Sequence, residues 1–278
     1  FTAAVSNTSG YWDFVQIGGG SVLTDSDSSQ ISYALLEGGG YPTYNPTLHI
    51  YRSSPTLDHI TIRNSGGEGL NAYYYYNDQK GFRLDTAVIE NNGEQGMYLY
   101  YGGHYTFTNV TIQNNAGDGI YAQYIGDLTL TNSTLTNNTG YGYFDYNSNN
   151  SLALQNVNLT NNGVAGRLPV NTAMNNVDWT GNTRNEIEWS GGTLTQPADW
   201  VRLPAGITTY HVVGDISVAD GVSLTVGAGV NVIFSQYAGL FVNGQITAVG
   251  TPTNPITFTA AVSNTSGYWD FVQIGGGS

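Results

Sequence analysis

Apolar and polar residues alternate along this chain in short runs, and the runs recur. The segments DHITIRNSGGEGL (58–70), DTAVIENNGEQGM (85–97), TNVTIQNNAGDGI (108–120), TNSTLTNNTGYGY (131–143) and QNVNLTNNGVAGR (155–167) align in three columns. One column is apolar: Ile62, Ile89, Ile112, Leu135 and Leu159. The second is an amide: Asn64, Asn91, Asn114, Asn137 and Asn161. The third is glycine: Gly69, Gly96, Gly119, Gly142 and Gly166. Each column steps by 23–27 residues. A shorter sixth copy puts Trp179 in the apolar column, and ISYALLEGGG (31–40) extends that column upstream with Leu35. Alternation of this kind marks a half-buried strand. Ile60 and Ile62 are therefore expected inside, with Thr61 and Arg63 outside.

Strand-forming repeats of this length predict a β-solenoid, one copy per coil, with neighbouring coils about 4.8 Å apart. Each column then becomes a ladder along the axis. The Asn64 column is expected to form an asparagine ladder at a strand end, its amides bonded coil to coil. Asparagine also tolerates the left-handed conformation of a sharp turn. The glycine column is expected to supply a second positive-φ corner. Two stretches are less regular: 38–55, with three of the eight prolines, reads as a long loop with one short strand, and 195–209 reads as a linker or cap.

These columns, the Asn-Asn-x-Gly turns and the coil length resemble right-handed parallel β-helix proteins, the broad pectate-lyase-like group. The segment 214–274 is similar to the opening coils of large bacterial surface and secreted β-helix proteins. The resemblance implies an all-β, right-handed parallel β-helix (β-solenoid) of about 10–12 coils. It divides the chain into β-helix coils at 1–194, a linker or cap at 195–213, and opening coils of a next unit at 214–278, so that a natural unit begins near residue 195.

A longer period encloses the short one. Residues 1–21, FTAAVSNTSGYWDFVQIGGGS, reappear letter for letter as 258–278, an offset of 257 residues. Chance does not produce such an identity, and the chain reads as one period, plus an overlap, of a tandem array whose β-helix continues from unit to unit. Phe1 lies inside an apparent strand with no initiator Met or signal peptide before it, so the sequence reads as starting mid-protein or after processing. The expected function is structural: a repeat unit of an extracellular filament, or of a cell-surface stalk or adhesin. Its partners would be copies of itself, as covalent repeats or an end-to-end polymer. The alternative is a polysaccharide-binding or polysaccharide-degrading β-helix protein.

Composition narrows the function classes. Twenty acids against seven bases leave a net charge of −13, too few cations for a phosphate-binding surface, so nucleic acid is excluded as a partner. No apolar run approaches the roughly 20 residues of a membrane helix, and no membrane insertion is expected. The 21 tyrosines matter more. Counting from the column glycines, position +2 holds Asn71, Tyr98, Tyr121 and Phe144, and position +4 holds Tyr73, Tyr100, Gln123 and Tyr146. Apolar residues intervene, so these positions face outward. Tyr73, Tyr98, Tyr100, Tyr121 and Tyr146 are the candidate binding residues, an aromatic stripe for a neighbouring filament or a polysaccharide.

Catalysis on the fold that this chain resembles needs clustered acids: the lyases add Ca²⁺ and a basic residue, and the hydrolases use paired carboxylates. Glu68, Glu90, Glu94 and Asp118, with Arg63 and Arg83 nearby, do not share columns well, so no catalytic residue and no cofactor is expected. Asp25 to Gln30 (DSDSSQ) lacks the glycine and closing glutamate of a calcium loop and reads as a polar turn. His49, His59, His104 and His211 show no ligand spacing and read as surface or turn residues, so no metal site is expected. The sequons at Asn7, Asn109, Asn132, Asn137, Asn149 and Asn158 are a natural product of an Asn- and Thr-rich chain.

Overall fold

The computed structural model describes residues 9–19, 29–41, 45–75, 80–146, 150–262 and 266–275. Asp25, Asp27 and the sequons at Asn7 and Asn149 lie outside the described residues. The architecture is an all-β parallel β-helix. Eleven strands stack in one long sheet, from Val15–Gly18 through Leu48–Tyr51, Leu70–Tyr73, Met97–Tyr100, Ile120–Gln123 and Tyr141–Asp145 to Thr257–Ala260, and mark about ten turns. A second sheet of eight strands, from Gln30–Glu37 to Ser151–Thr160 and Ala173–Asp178, lies across the core from it. Beyond residue 190 the place of that second sheet is taken by two smaller ones. Four strands run from Gly192–Leu194 to Val272–Ile274, and three from Ala198–Trp200 to Gln245–Ala248.

The alternation dictates this arrangement. The apolar column is in register from strand to strand, Ile62 opposite Ile89, Ile89 opposite Ile112, Ile112 opposite Leu135 and Leu135 opposite Leu159, and all five are fully buried. Ile60 is buried with Ile62, while Thr61 and Arg63 are not. Upstream the column continues through Leu36, not Leu35: Leu36 pairs with Ile62 and is buried, whereas Leu35 pairs with Thr61. A one-residue slip reverses a strand's faces, and the alignment of ISYALLEGGG carried one.

The long strands of the second sheet are bent once. Tyr33, His59, Thr86, Asn109, Asn132, Asn156 and Asn176 all have φ near +50°, and this column of left-handed residues resets the alternation, so that Leu57 and Ile60 both point inward. Its asparagines form an exposed ladder, Asn176 donating to Asn156 and Asn156 to Asn132, each at 3.0 Å.

The principal asparagine ladder stands one residue downstream of the expected column. Asn64, Asn91, Asn114, Asn137 and Asn161 all have φ of 56–57° and occupy the corner itself. Turning the backbone there swings the side chain of the corner residue outward and that of the next residue into the coil. Asn92 Nδ2 donates to Asn115 Oδ1 (2.8 Å), Asn115 to Asn138 (2.9 Å) and Asn138 to Asn162 (3.0 Å). Each Oδ1 also accepts from the backbone N–H of the preceding ladder residue, and Asn182 continues the series by accepting from Asn162 N–H at 2.8 Å. Asn92, Asn115, Asn138 and Asn162 are buried, so each bond forms where an unpaired amide would be costly.

Gly69, Gly96, Gly119 and Gly142 serve this ladder, Gly166 falls one residue out of the column, opposite Tyr143, and none of the five supplies a positive-φ corner. Gly96 lacks a positive φ; a Cβ there would stand 2.8 Å from Asn115 Nδ2 and 2.4 Å from Ile112 Cγ2. At Gly119 it would lie 3.0 Å from Asn138 Nδ2 and 2.5 Å from the Gly142 carbonyl oxygen. Glycine is needed because the ladder amide and the next coil's backbone fill the space.

The stretch 195–213 is part of the stack. Ala198–Trp200 pairs with Ser223–Val226, Thr209–Val212 pairs with Arg184–Trp189, and a short 3-10 turn at Pro204–Gly206 lies between. Trp189, Trp200 and Tyr210 stack inside the helix with centroids 5.7–6.2 Å apart. A segment with two prolines and an Asp-Trp pair gave no alternation to read, yet its tryptophan is core.

Ladder and corner are separable by mutation. Asn138→Ala removes the acceptor of both the backbone N–H and the side-chain amide of Asn115, and is expected to cost about 2–3 kcal/mol. Asn137→Gly, at the neighbouring left-handed corner, is expected to change stability by less than about 1 kcal/mol. Equal costs in urea unfolding would contradict this division of roles.

Candidate functional site

The outward face of the long sheet carries the aromatic stripe. Leu70–Tyr73, Met97–Tyr100 and Ile120–Gln123 each alternate buried and half-buried residues, which places one residue in two on the surface. Register puts Asn71, Tyr98, Tyr121 and Phe144 in one column and Tyr51, Tyr73, Tyr100 and Gln123 in the next. Tyr73, Tyr98, Tyr100 and Tyr121 are half-buried against one another, and Tyr146 is 52% exposed. Tyr73 meets Tyr100 at 5.1 Å, Tyr98 meets Tyr121 at 5.1 Å, and Tyr121 stacks on Phe144 at 4.9 Å. Tyr146 closes on Tyr124 (5.7 Å) and Tyr121 (6.4 Å). Tyr98 donates to Gln123 Oε1 at 2.6 Å and ties the two columns together.

The stripe reaches further than the glycine-based count extends. Tyr51 stacks on Tyr73 at 5.5 Å, its hydroxyl is 3.0 Å from that of Tyr75, and Arg52 lies 4.0 Å over the Tyr75 ring. His49 and Phe14 carry the surface to the first coil, Phe14 edge-on to His49 at 5.9 Å. Leu48–Tyr51 has the same burial pattern as the later strands, but no column glycine precedes it, so counting from the glycines misses it.

Acids line the turn just before the stripe. Backbone bonds from Gly69 N–H to Gln95 O and from Gly96 N–H to Asp118 O place Glu68, Gln95 and Asp118 in one column, contrary to the expectation that these acids lie apart. Glu90 does stand apart, on the second sheet, between Arg63 and Gln113 in register, and Arg63 is paired with Glu37 at 2.9 Å. Glu68, Glu94, Gln95, Tyr98 and Tyr121 line a recess of about 170 Å³. Glu68 is 8% exposed, and its Oε2 is buried with no hydrogen-bond partner. Burial, aided by the charge of Glu94, pushes its carboxyl up to about 7. Burial likewise raises Asp118 to about 6, against the pull of the Tyr141 N–H at 2.7 Å and of Arg167. The same desolvation lifts Tyr98 to about 12.

An ionic cluster closes the far end. Arg167, Glu188 and His211 follow Phe144 in register, and Arg167 sits 4.7 Å over the Phe144 ring. Glu188, 1% exposed, accepts from Arg167 Nε (2.9 Å), from Arg184 and from the Tyr141 hydroxyl (3.0 Å). Burial opposes ionisation of Glu186, but contacts with His211 and Arg184 outweigh it and hold that carboxyl below its ordinary range. His211 lies on the outward face in a strand and not in a turn, half-buried with its side chain 12% exposed and Nε2 2.9 Å from Ser235 Oγ. Glu186, Glu188 and His211 bring ligand atoms within 4.8 Å of one another. Two guanidiniums already match the two carboxylates, so the donor set is charge-balanced and fits an ion-pair network better than a metal centre.

A family model matches the larger part of this chain. The model of the right-handed beta helix region matches residues 18–184. The chain belongs to the right-handed β-helix family. The matched region covers the Asn92 ladder and the whole aromatic stripe from Tyr51 onward. No curated protein and no solved structure matches the chain. The family holds enzymes and non-enzymes alike. Among the described residues, no helix is long and apolar enough to cross a membrane.

The raised acids give the β-helix a pH signature. A carboxyl whose folded pKa exceeds its unfolded value stabilises the fold below the unfolded value and loses that contribution as pH rises through the folded one. Glu68, raised from 4.5 to about 7, is expected to withdraw on the order of 2 kcal/mol between about pH 5 and about pH 8. Glu68→Gln stays neutral throughout and should flatten that fall in calorimetric Tm; an unchanged slope would assign it to other groups.

Proposed function

We propose that this chain is a structural, non-catalytic repeat unit of an extracellular rod, a filament or cell-surface stalk, built from tandem 257-residue β-helical units. The observation that carries the reading is the identity of residues 1–21 with 258–278. The chain has no cysteine, so a rod of this kind is held by its backbone ladders, apolar column and asparagines alone.

The aromatic stripe favours a second role on the same rod, contact with polysaccharide. Sugar rings pack against aromatic side chains, and the outer edges of Tyr51, Tyr73 and Tyr100, flanked by the exposed Tyr75 and Tyr146, form a continuous series along the axis. The net charge of −13 disfavours polyanionic chains, so the fitting glycan is neutral or cationic.

Denaturing electrophoresis and electron microscopy of the native material test the first reading. A very high-mass chain with an axial unit of about 50 Å is expected; a discrete band near 29.8 kDa without filaments would rule the rod out. For the second, Tyr100→Ala is expected to weaken binding of neutral oligosaccharides about 3- to 10-fold. Undiminished binding by titration calorimetry would remove the stripe from that role.

A further inference from the structure

The two copies of the repeated segment occupy different places in the β-helix. Val15–Gly18 is the first strand of the long sheet, beside Leu48–Tyr51. Its counterpart Val272–Ile274 is the last strand of the four-stranded sheet, beside Leu240–Val242. Local conformation is alike in both. Gly10 and Gly267 have φ of 64° and 67°, and Gln16 and Gln273 each donate to the carbonyl two residues on at 3.3 Å. What differs is the neighbour: the first copy pairs with the coil that follows it, the second with the coil that precedes it.

The groups used in the two places are complementary. Toward the following coil, Val15 N–H donates to Thr47 O (3.0 Å) and Gly19 N–H to Tyr51 O (3.1 Å). Toward the preceding coil, Gly275, the counterpart of Gly18, donates to Val242 O (2.9 Å), and Phe271, the counterpart of Phe14, accepts from Leu240 N–H (2.9 Å). Alternate residues of a parallel strand face opposite neighbours, and here 15 and 19 face ahead while 14 and 18 face behind. The side chains divide in the same way. Trp12 Nε1 donates ahead to Glu37 O at 2.8 Å, while its counterpart Trp269 stacks behind on Phe234 at 4.5 Å. Phe14 meets His49 ahead, and Phe271 meets Phe241 behind at 4.8 Å.

We propose that in the array a single copy of this segment makes both sets of contacts at once, so that the four-stranded sheet of one unit runs through it into the long sheet of the next. The inference rests on the tandem reading above. It fixes the geometry of the rod. The long sheet spans about ten turns from Val15–Gly18 to Thr257–Ala260, and the seam strand comes one face later. A unit is therefore about ten and a third turns, or about 50 Å. The aromatic face advances a third of a turn per unit, in the direction of the chain, and returns every three units, about 150 Å along the axis.

Electron cryomicroscopy of a chain carrying three consecutive units tests this. The expected image is one unbroken β-helix with tyrosine faces on three sides and a true repeat of about 150 Å. Hydrogen exchange should show the amides of Val15 and of Gly18 both protected in the inner copies. Faces in line, or a hinge at the seam with fast exchange at either residue, would overturn the inference. A native chain that proves to be very long would leave the tandem reading standing in that case, whereas a native chain of one unit would remove both.

Discussion

The packed contact between the buried asparagine ladder and the glycines facing it sets the register of this β-helix. Asn92, Asn115, Asn138 and Asn162 stand above one another, each amide bonded to the next, and Gly69, Gly96, Gly119 and Gly142 keep the space that those amides occupy. A coil shifted by one residue would lose its amide partner and drive a Cβ into a carbonyl oxygen. The ladder thus fixes where each strand of the long sheet begins. That in turn decides which residues point outward, and so the tyrosines fall into line because the asparagines do.

Much of this was legible in the repeat. Period and alternation gave the β-solenoid and the buried column from Ile62 to Leu159, the family resemblance gave the parallel β-helix, and the alternation set Tyr73, Tyr98, Tyr100 and Tyr121 on the outer side, where they are half-buried. The errors have separate causes. In Asn91-Asn92 and Asn114-Asn115 both residues recur, and recurrence does not say which of two adjacent asparagines turns the corner and which fills the coil. Only the backbone angle does, and it sends Asn91 out and Asn92 in. The glycine column was read as conformational when it is steric, a distinction set by the coil above and not by local sequence. Glu68 and Asp118 looked scattered because an uncharged residue, Gln95, holds the place between them.

The outward face combines two surfaces of different character. Along the stripe, desolvation dominates: rings shield one another and lift the carboxyl groups beside them toward neutrality. Past Phe144 the same columns turn ionic, with Arg167, Arg184, Glu186 and Glu188 balancing one another around Tyr141. Arg167 joins the two, with its charge on Glu188 and its plane over Phe144. The face changes from aromatic to charged while the backbone beneath it continues unaltered, since the ladders constrain only what points inward.

Among the described residues all the extended strand ladders are parallel, and their hydrogen bonds run along the axis of the helix. A pull along that axis therefore loads the bonds end-on, one coil at a time, and does not shear many together. Bending is resisted by whole sheets, but tension meets only the outermost rung. Each coil that lets go pays out some 24 residues, about 80 Å of slack at full extension, for the loss of a single rung of about 5 Å. Such a body resists bending through its sheets and lengthens coil by coil under tension.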